Sequence, residues 1–388
     1  MDQTAPPSAV DRARALGPAI AAASDEIERT QRFPAALLEQ LHAARLCRLL
    51  LPRSVGGEEI HPTEYLHAIA EIARHDGSVG WNLFVANSAT LIAPFIPLES
   101  ARRIYADPAA LIAWGAPSGV RLKAAPGGYR VDGEWLFASG CRQATWMGAH
   151  GPVEEADGTL RLNARGVPLT RTVLFPVEQA ERLGDWRPVG LRGTASEAYR
   201  VRDVFVPEAM SGTREEPEAR RDPGPLYAFT MQGLYAVGVA GVALGLADAM
   251  LADFAKLAAE KTPRGRGRLA DDALVRAGFA TATAKVKAAL AYLTAELDDI
   301  YAHAPETGAI GLADRARVRL AASHGIQAGV EAADWVHRAA GVSAIFPDSP
   351  FERRFRDIHT VSQQIQSRPA HFEAVGEILL GGAPPVFF

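Results

Sequence analysis

The side chains best suited to chemistry gather in one short run, Gly133-Glu134-Trp135-Leu136-Phe137-Ala138-Ser139-Gly140, with Cys141, Gln143 and Trp146 just after it. This run lies in the only strand-rich part of a chain whose two flanks read as helical. Phe137 offers an aromatic ring, and Ser139 a hydroxyl that can both donate and accept. The placement suggests a flavin seat. Strand periodicity alone gives a plainer reading, in which Trp135 and Phe137 share one face and both turn into the core.

Other constellations carry less chemistry. The ten His show no metal-ligand spacing with Cys or acids, so no metal site is expected, and there is no Gly-x-Ser-x-Gly elbow. Gly238-x-x-Gly241-x-x-x-Gly245 has the wrong spacing for a dinucleotide fingerprint and reads as tight helix packing. Cys47 and Cys141 are the only cysteines and lie far apart, which fits a reducing compartment, the cytoplasm, better than a disulfide scaffold. Cys141 reads as a small buried hydrophobe rather than a nucleophile. Forty-one Lys and Arg against 45 Asp and Glu leave a net charge of -4. With no basic stripe interleaved with aromatics, a nucleic-acid partner is not expected. The start, Met1 to Ala9, is polar and unlike a secretory signal. The longest apolar run, Met231 to Ala247, is Gly-rich and leads into Asp248 and Asp253, so it reads as a core helix rather than a membrane span.

The elements that must position these residues follow from periodicity and breakers. Helices are expected within Asp11–Leu51, from Pro62 to Arg74 and from Asp76 to Ile92. Past Pro94 and Pro97, short runs of β-formers occur at 111–114, 128–131, 134–137, 172–175 and 199–206. Long helices return at 226–260, 270–302, 311–340 and 349–380. The expected organisation is α+β: an N-terminal helical domain over 1–113, a small central β-barrel or sandwich domain over 114–212, and a C-terminal four-helix bundle over 213–388.

This order resembles the acyl-CoA dehydrogenase superfamily. Leu51-Pro52 with Gly56-Gly57, Glu71-Ile72-Ala73-Arg74 with Asp76-Gly77-Ser78, and Gly128-Tyr129-Arg130-Val131-Asp132-Gly133 are similar to its segments in order. So are Gly190-Leu191-Arg192-Gly193-Thr194, Asp203-Val204-Phe205-Val206-Pro207 and Arg353-Arg354-Phe355-Arg356-Asp357. Trp135-x-Phe137-Ala138-Ser139-Gly140 followed by Trp146 is closer to the branch of two-component flavin-dependent monooxygenases. The resemblance implies FAD, or FMN, bound in its reduced form and supplied by a separate flavin reductase, a small organic substrate (aromatic, polyketide or amine), and a homotetramer. It implies flavin contacts from Trp114, Phe137, Ala138 and Ser139, with Ser139 near N5. Arg264 and Arg266 would reach the flavin diphosphate of a neighbouring subunit, unless their loop is merely solvated, and Gly341 would approach the adenylate side.

A dehydrogenase of this superfamily needs a carboxylate base from the loop after the Arg-Asp signature or from the first C-terminal helix. Residues 358–371 and 223–247 contain no Asp or Glu. A lost general base typically removes a factor of about 100 to 10,000 in rate, so the usual acyl-CoA desaturation is not expected. In the monooxygenase branch, histidines commonly serve activated oxygen or the substrate; here Gln143 and Gln364 stand at two such positions and Asn87 at a third. Amides hydrogen-bond but do not relay protons as imidazole does. Gln143, Gln364 and Asn87 are thus expected on the substrate side, and His359 is a possible base. Two alternatives stand beside the monooxygenase: an FAD-dependent dehydrogenase or oxidase with an atypical base, and a non-catalytic flavin-binding descendant.

Overall fold

The computed structural model describes residues 6–213 and 216–384, so the first residues of the polar start lie outside it. Five helices come first: α1 Ala9–Thr30, α2 Ala35–Ala43, α3 Pro62–His75, α4 Gly77–Thr90 and α5 Leu98–Tyr105. Local chemistry sets their ends. Ser8 accepts from the Asp11 N–H at the start of α1, Pro62 occupies the first turn of α3, and Asp76 accepts from Val79 N–H to open α4. Nearly every residue of α4 is buried, including polar Asn82 and Asn87.

Nine strands follow: β1 Ile112–Trp114, β2 Ala116–Pro117, β3 Leu122–Ala125, β4 Gly128–Ala138, β5 Trp146–Glu154, β6 Thr170–Pro176, β7 Glu181–Arg182, β8 Glu197–Pro207 and β9 Ser211–Gly212. They pair in the order β7-β8-β4-β3-β5-β6-β9, with β1 beside β5 and β2 beside β4. The two runs expected at 128–131 and 134–137 form one strand that passes through Gly133 at φ +140°, with a register shift there. β5 was not anticipated, because Gly148, Gly151 and Pro152 interrupt its β-formers; neither was the helix α5.

The C-terminal part holds α6 Met231–Glu260, α7 Ala273–His303, α8 Leu312–Ala340, α9 Glu352–Val361 and α10 Ala370–Leu379. The helix expected over 349–380 is broken in two. The Gln364 side chain accepts from Gln366 N–H, Ser367 Oγ donates to the carbonyl of Gln364, and Pro369 has no N–H with which to continue a ladder. α6 is the one described helix long and apolar enough to cross a membrane, and 89% of its most apolar window is buried inside the fold. Its glycines admit neighbours closely: a Cβ on Gly238 would lie 2.6 Å from the Phe84 ring, and one on Gly245 2.2 Å from the Ala70 carbonyl. One apolar core joins the N- and C-terminal helices, through residues such as Leu66, Phe84, Val237 and Ile326, and a second fills the β region around Trp135, Met147 and Tyr199.

Candidate active site

The end of β4 departs from strand periodicity where the chemistry was expected. Opposite β8, Trp135 pairs with Tyr199 and Ala138 with Glu197, so β4 carries one extra residue across that interval, a bulge. Trp135 turns inward, fully buried and stacked on Tyr199 with ring centroids 5.5 Å apart, and its N–H donates to the His150 carbonyl. Two residues on, Phe137 would share that face, but the bulge places it at φ +62° and leaves it 62% exposed. The ring meets Trp186 edge-on at 6.3 Å. The plainer reading, with both aromatics in the core, therefore fails at Phe137.

Ser139 follows, buried at the wall of a cavity of about 20 Å³, room for one water. Phe33, Cys47, Leu83 and Ile112 supply apolar wall, and Asn82, Ser139 and Gln143 the polar side chains; among the described residues no carboxylate, Lys, Arg or His lines it. Asn82 is 6% exposed, and both amide atoms of Asn82 and of Gln143 are buried with no protein partner. Such groups are uncommon in folded proteins and destabilise by about 1–3 kcal/mol each when unpaired, so four at one cavity mark a place built to meet a polar ligand. The turn that presents Gln143 is fixed by Gly140 at φ +77°, whose N–H donates to the Thr194 carbonyl while its own carbonyl accepts from Gln143 N–H.

Ser139 Oγ accepts from the indole N–H of Trp81 at 3.0 Å and lies 2.6 Å from Ser196 Oγ, which lies 2.7 Å from Thr194 Oγ1. The nearest buried carboxylate in sequence to this group, Glu197, is 2% exposed and bound by the Arg142 guanidinium, whose Nε is 2.6 Å away; it is not free to act as a base. Burial pushes the thiols of Cys47 and Cys141 up to about 12, so both stay protonated, and Cys141 Sγ donates to the Ala195 carbonyl.

The structure brings together Ser139 and Gln143 of the expected residues and adds Asn82, Trp81, Thr194 and Ser196. Asn87 goes elsewhere: its Oδ1 accepts from Leu49 N–H at 2.7 Å and its Nδ2 donates to the carbonyls of Leu46 and Leu83 at 2.8 Å, so it clamps backbone. At 3.6 residues per turn, five positions separate Asn82 and Asn87 by about 140° around α4. Gln364 caps a turn and is not in the cavity wall, and half-exposed His359 pairs with Asp334 at 2.9 Å on the flank of α8. Trp114 is 7% exposed, packed over Gly148, and Ala138 is fully buried, so these two side chains belong to the β core. Arg264 and Arg266 are exposed on the loop after α6, Arg266 lying 3.7 Å from Asp272. Gly341, at φ +56° and exposed, ends α8 beside Lys261, which donates to the Ala340 carbonyl and Ser343 Oγ.

The Arg-Asp segment is a clamp. Arg353 and Arg356 bind Glu28 on α1, Arg354 binds Asp253 on α6, and Asp357 Oδ1 accepts from Leu191 N–H at 2.6 Å, fixing the turn that carries Thr194.

The acyl-CoA dehydrogenase N-terminal domain family matches residues 12–97 and the acyl-CoA dehydrogenase C-terminal domain family residues 237–369, together more than half of the chain. Indole-3-acetate monooxygenase of Pseudomonas putida is 27% identical, with 99% of each chain covered. The flavin-dependent monooxygenase oxygenase subunit HsaA of Rhodococcus jostii (strain RHA1) is also 27% identical, with 90% of this chain and 92% of that one covered. Among solved structures, XiaF from Streptomyces sp. in complex with FADH2 and glycerol superposes with a TM-score of 0.88 at 24% identity, covering 98% of this chain and 96% of that one.

Proposed function

We infer that this chain, which belongs to the acyl-CoA dehydrogenase superfamily, is the oxygenase component of a two-component flavin-dependent monooxygenase acting on a small aromatic substrate. Phe137 carries the reading. A large aromatic held out of its own core by a bulge, two residues before a buried hydroxyl at a cavity, is matched to a flat ring with a polar edge. The residues fit reduced flavin: Phe137 would pack on the ring face, Ser139 would meet its N5 edge, and the four unpartnered amide atoms of Asn82 and Gln143 lie at the same wall. When bound, reduced flavin supplies the two electrons that let one oxygen atom pass to substrate while the other leaves as water.

The protein's own part is to orient and to exclude water. The apolar wall keeps bulk solvent from the reacting edge, and Asn82 and Gln143 hydrogen-bond without exchanging protons. An uncharged wall suits a neutral aromatic, and because the cavity is water-sized, such a substrate occupies it only after lining side chains move. Among the described residues no carboxylate lines the cavity to remove a proton beside a thioester carbonyl, which disfavours a dehydrogenase. The electron source is a separate flavin reductase. Exposed apolar side chains Leu274, Val342, Ile345, Phe346, Leu379 and Leu380, on the C-terminal helices and the turns that follow α8 and α10, support a homotetramer, in which Arg264 and Arg266 extend to a neighbour's flavin diphosphate.

The test is rapid mixing of the protein, loaded anaerobically with reduced FAD or FMN, with oxygenated buffer while the flavin spectrum is recorded. An absorbing species distinct from both reduced and oxidised flavin, outlasting the reoxidation of free flavin, is expected. Direct return to oxidised flavin at the rate of free flavin refutes the oxygenase reading.

A further inference from the structure

The protons of the hydroxyl group behind Ser139 can be assigned one by one. Thr194 Oγ1 lies 2.8 Å from the Leu191 carbonyl, which only accepts, so the threonine proton points there. With that proton committed, the 2.7 Å contact between Thr194 Oγ1 and Ser196 Oγ takes the proton of Ser196. By the same count the 2.6 Å contact between Ser196 Oγ and Ser139 Oγ takes the proton of Ser139. On its other side Ser139 Oγ accepts from Trp81 Nε1, which only donates. Trp81, Ser139, Thr194 and Ser196 are all buried, and a water in the cavity would leave each of these short contacts still needing its own proton. The far end is pinned as well, because Asp357 holds Leu191 through its N–H, and the Thr194 carbonyl accepts from Gly140 N–H. Ser139 therefore has no proton to offer the cavity it lines, only a lone pair.

We propose that this polarised chain makes Ser139 a one-way acceptor that selects reduced over oxidised flavin, with Thr194 and Ser196 as its positioning residues. The proposal rests on the flavin reading above. N5 of reduced flavin carries a hydrogen and donates; N5 of the oxidised ring is a bare acceptor and would meet the Ser139 lone pair with no proton between them. One mismatched buried hydrogen bond corresponds to about tenfold in affinity or more. The device matches an enzyme that receives its flavin already reduced: the product of its own cycle, oxidised flavin, is the form it holds less well.

The experiment is a titration of the full-length protein with FAD in the oxidised form and, anaerobically, in the reduced form, together with the midpoint potential of the bound flavin. The reduced form should bind at least about tenfold more tightly, which raises the potential of bound over free flavin by about 30 mV for a two-electron couple. In Thr194→Val, Ser196 loses the acceptor that orients it and turns its proton to Ser139, which frees the Ser139 proton for the cavity. The preference for reduced flavin should fall by about tenfold or reverse. Thr194→Ser keeps the hydroxyl and should keep the preference, which separates polarity from packing. Should Thr194→Val not fold, Ser196→Ala releases the Ser139 proton by a different deletion and carries the same expectation. Wild-type affinities within about twofold of each other overturn the proposal, as does a folded Thr194→Val or Ser196→Ala protein that keeps the full preference. Failure of the wild-type protein to bind either form overturns the flavin reading itself, a result distinct from equal binding of both.

Discussion

Replacing Asn87 with Leu should destabilise the protein by several kcal/mol and leave flavin binding per folded molecule unchanged. Asn87 is fully buried, and its amide meets four backbone groups: Leu49 N–H at 2.7 Å, Leu50 N–H at 3.4 Å, and the Leu46 and Leu83 carbonyls, each at 2.8 Å. The Leu83 carbonyl sits four residues back in α4 and keeps its helical bond. The other three belong to the segment after α2, which Asn87 ties to α4 by hydrogen bonds. Leucine preserves the volume but returns no polar atom. Each orphaned buried group loses about 1–3 kcal/mol, with the long Leu50 contact at the bottom of that range, which gives about 3–7 kcal/mol in all. Urea unfolding measures it: the midpoint should fall with the slope unchanged, while reduced-flavin titration of the folded protein gives the wild-type affinity. A loss below about 1 kcal/mol refutes the backbone-clamp argument. Intact stability with failed substrate turnover would put Asn87 back on the substrate side.

Two further substitutions test the groups around the site. Burial first, and then the neighbouring Asp76 carboxylate, push the Asp357 carboxyl up to about 7 from 3.8. Because its folded value exceeds its unfolded one, its contribution is complete below about pH 4 and is lost as pH rises through about 7, a change of about 4 kcal/mol. Asp357→Asn keeps the acceptor for Leu191 N–H and should flatten the fall in unfolding free energy between about pH 4 and about pH 8; an unaltered slope counts against the assignment. Phe137→Gly removes an exposed ring and relieves a left-handed backbone, a gain of about 1–2 kcal/mol partly cancelled by the entropy of glycine in the unfolded chain. Thermal unfolding should change little while flavin affinity drops about tenfold or more, and equal affinity in the variant would remove Phe137 from the flavin seat.

Much of the fold was legible because its signals are local and periodic. The long apolar spacings of α6, α7 and α8, the Asp76 cap and the turn residues around β4 state their own structure. β5 was not legible, since its stability comes from neighbours on both sides rather than from its Gly- and Pro-broken sequence. The site divided along the same line. Ser139 and Gln143 stand close together in sequence, beside a recognisable strand end. Asn82 hides in an apolar helix, and choosing between it and Asn87 needs the rotation of α4 about its axis. Thr194 and Ser196 were within reach, since Gly193-Thr194 had been singled out, but their meeting with Ser139 is a contact across more than 50 residues. Gln364, placed by resemblance, and His359, kept as a possible base, are found in a turn cap and in a pair with Asp334, contacts that their sequence neighbours do not announce.

Backbone strain at the site follows the same tertiary logic. Phe137, Leu191 and Ala195 are non-glycine residues at φ +62°, +51° and +43°, and all three border the Ser139 hydroxyl group or its flanks. Each carries about 1–2 kcal/mol of left-handed strain, so the geometry persists only where other contacts over-determine it. The β4 bulge holds Phe137, and Asp357 on α9 holds Leu191 by its N–H. Leu191 is the hinge of this arrangement: its N–H faces a carboxylate brought from the C-terminal helices, and its carbonyl receives the proton that orders Thr194, Ser196 and Ser139 in turn. The buried carboxylate of Asp357 weakens the fold above neutral pH, yet it is the contact that fixes the acceptor at the end of the chain. A change at α9 should therefore be felt at Ser139 as altered proton direction before it is felt as altered position, since rotating a hydroxyl needs no movement of the backbone.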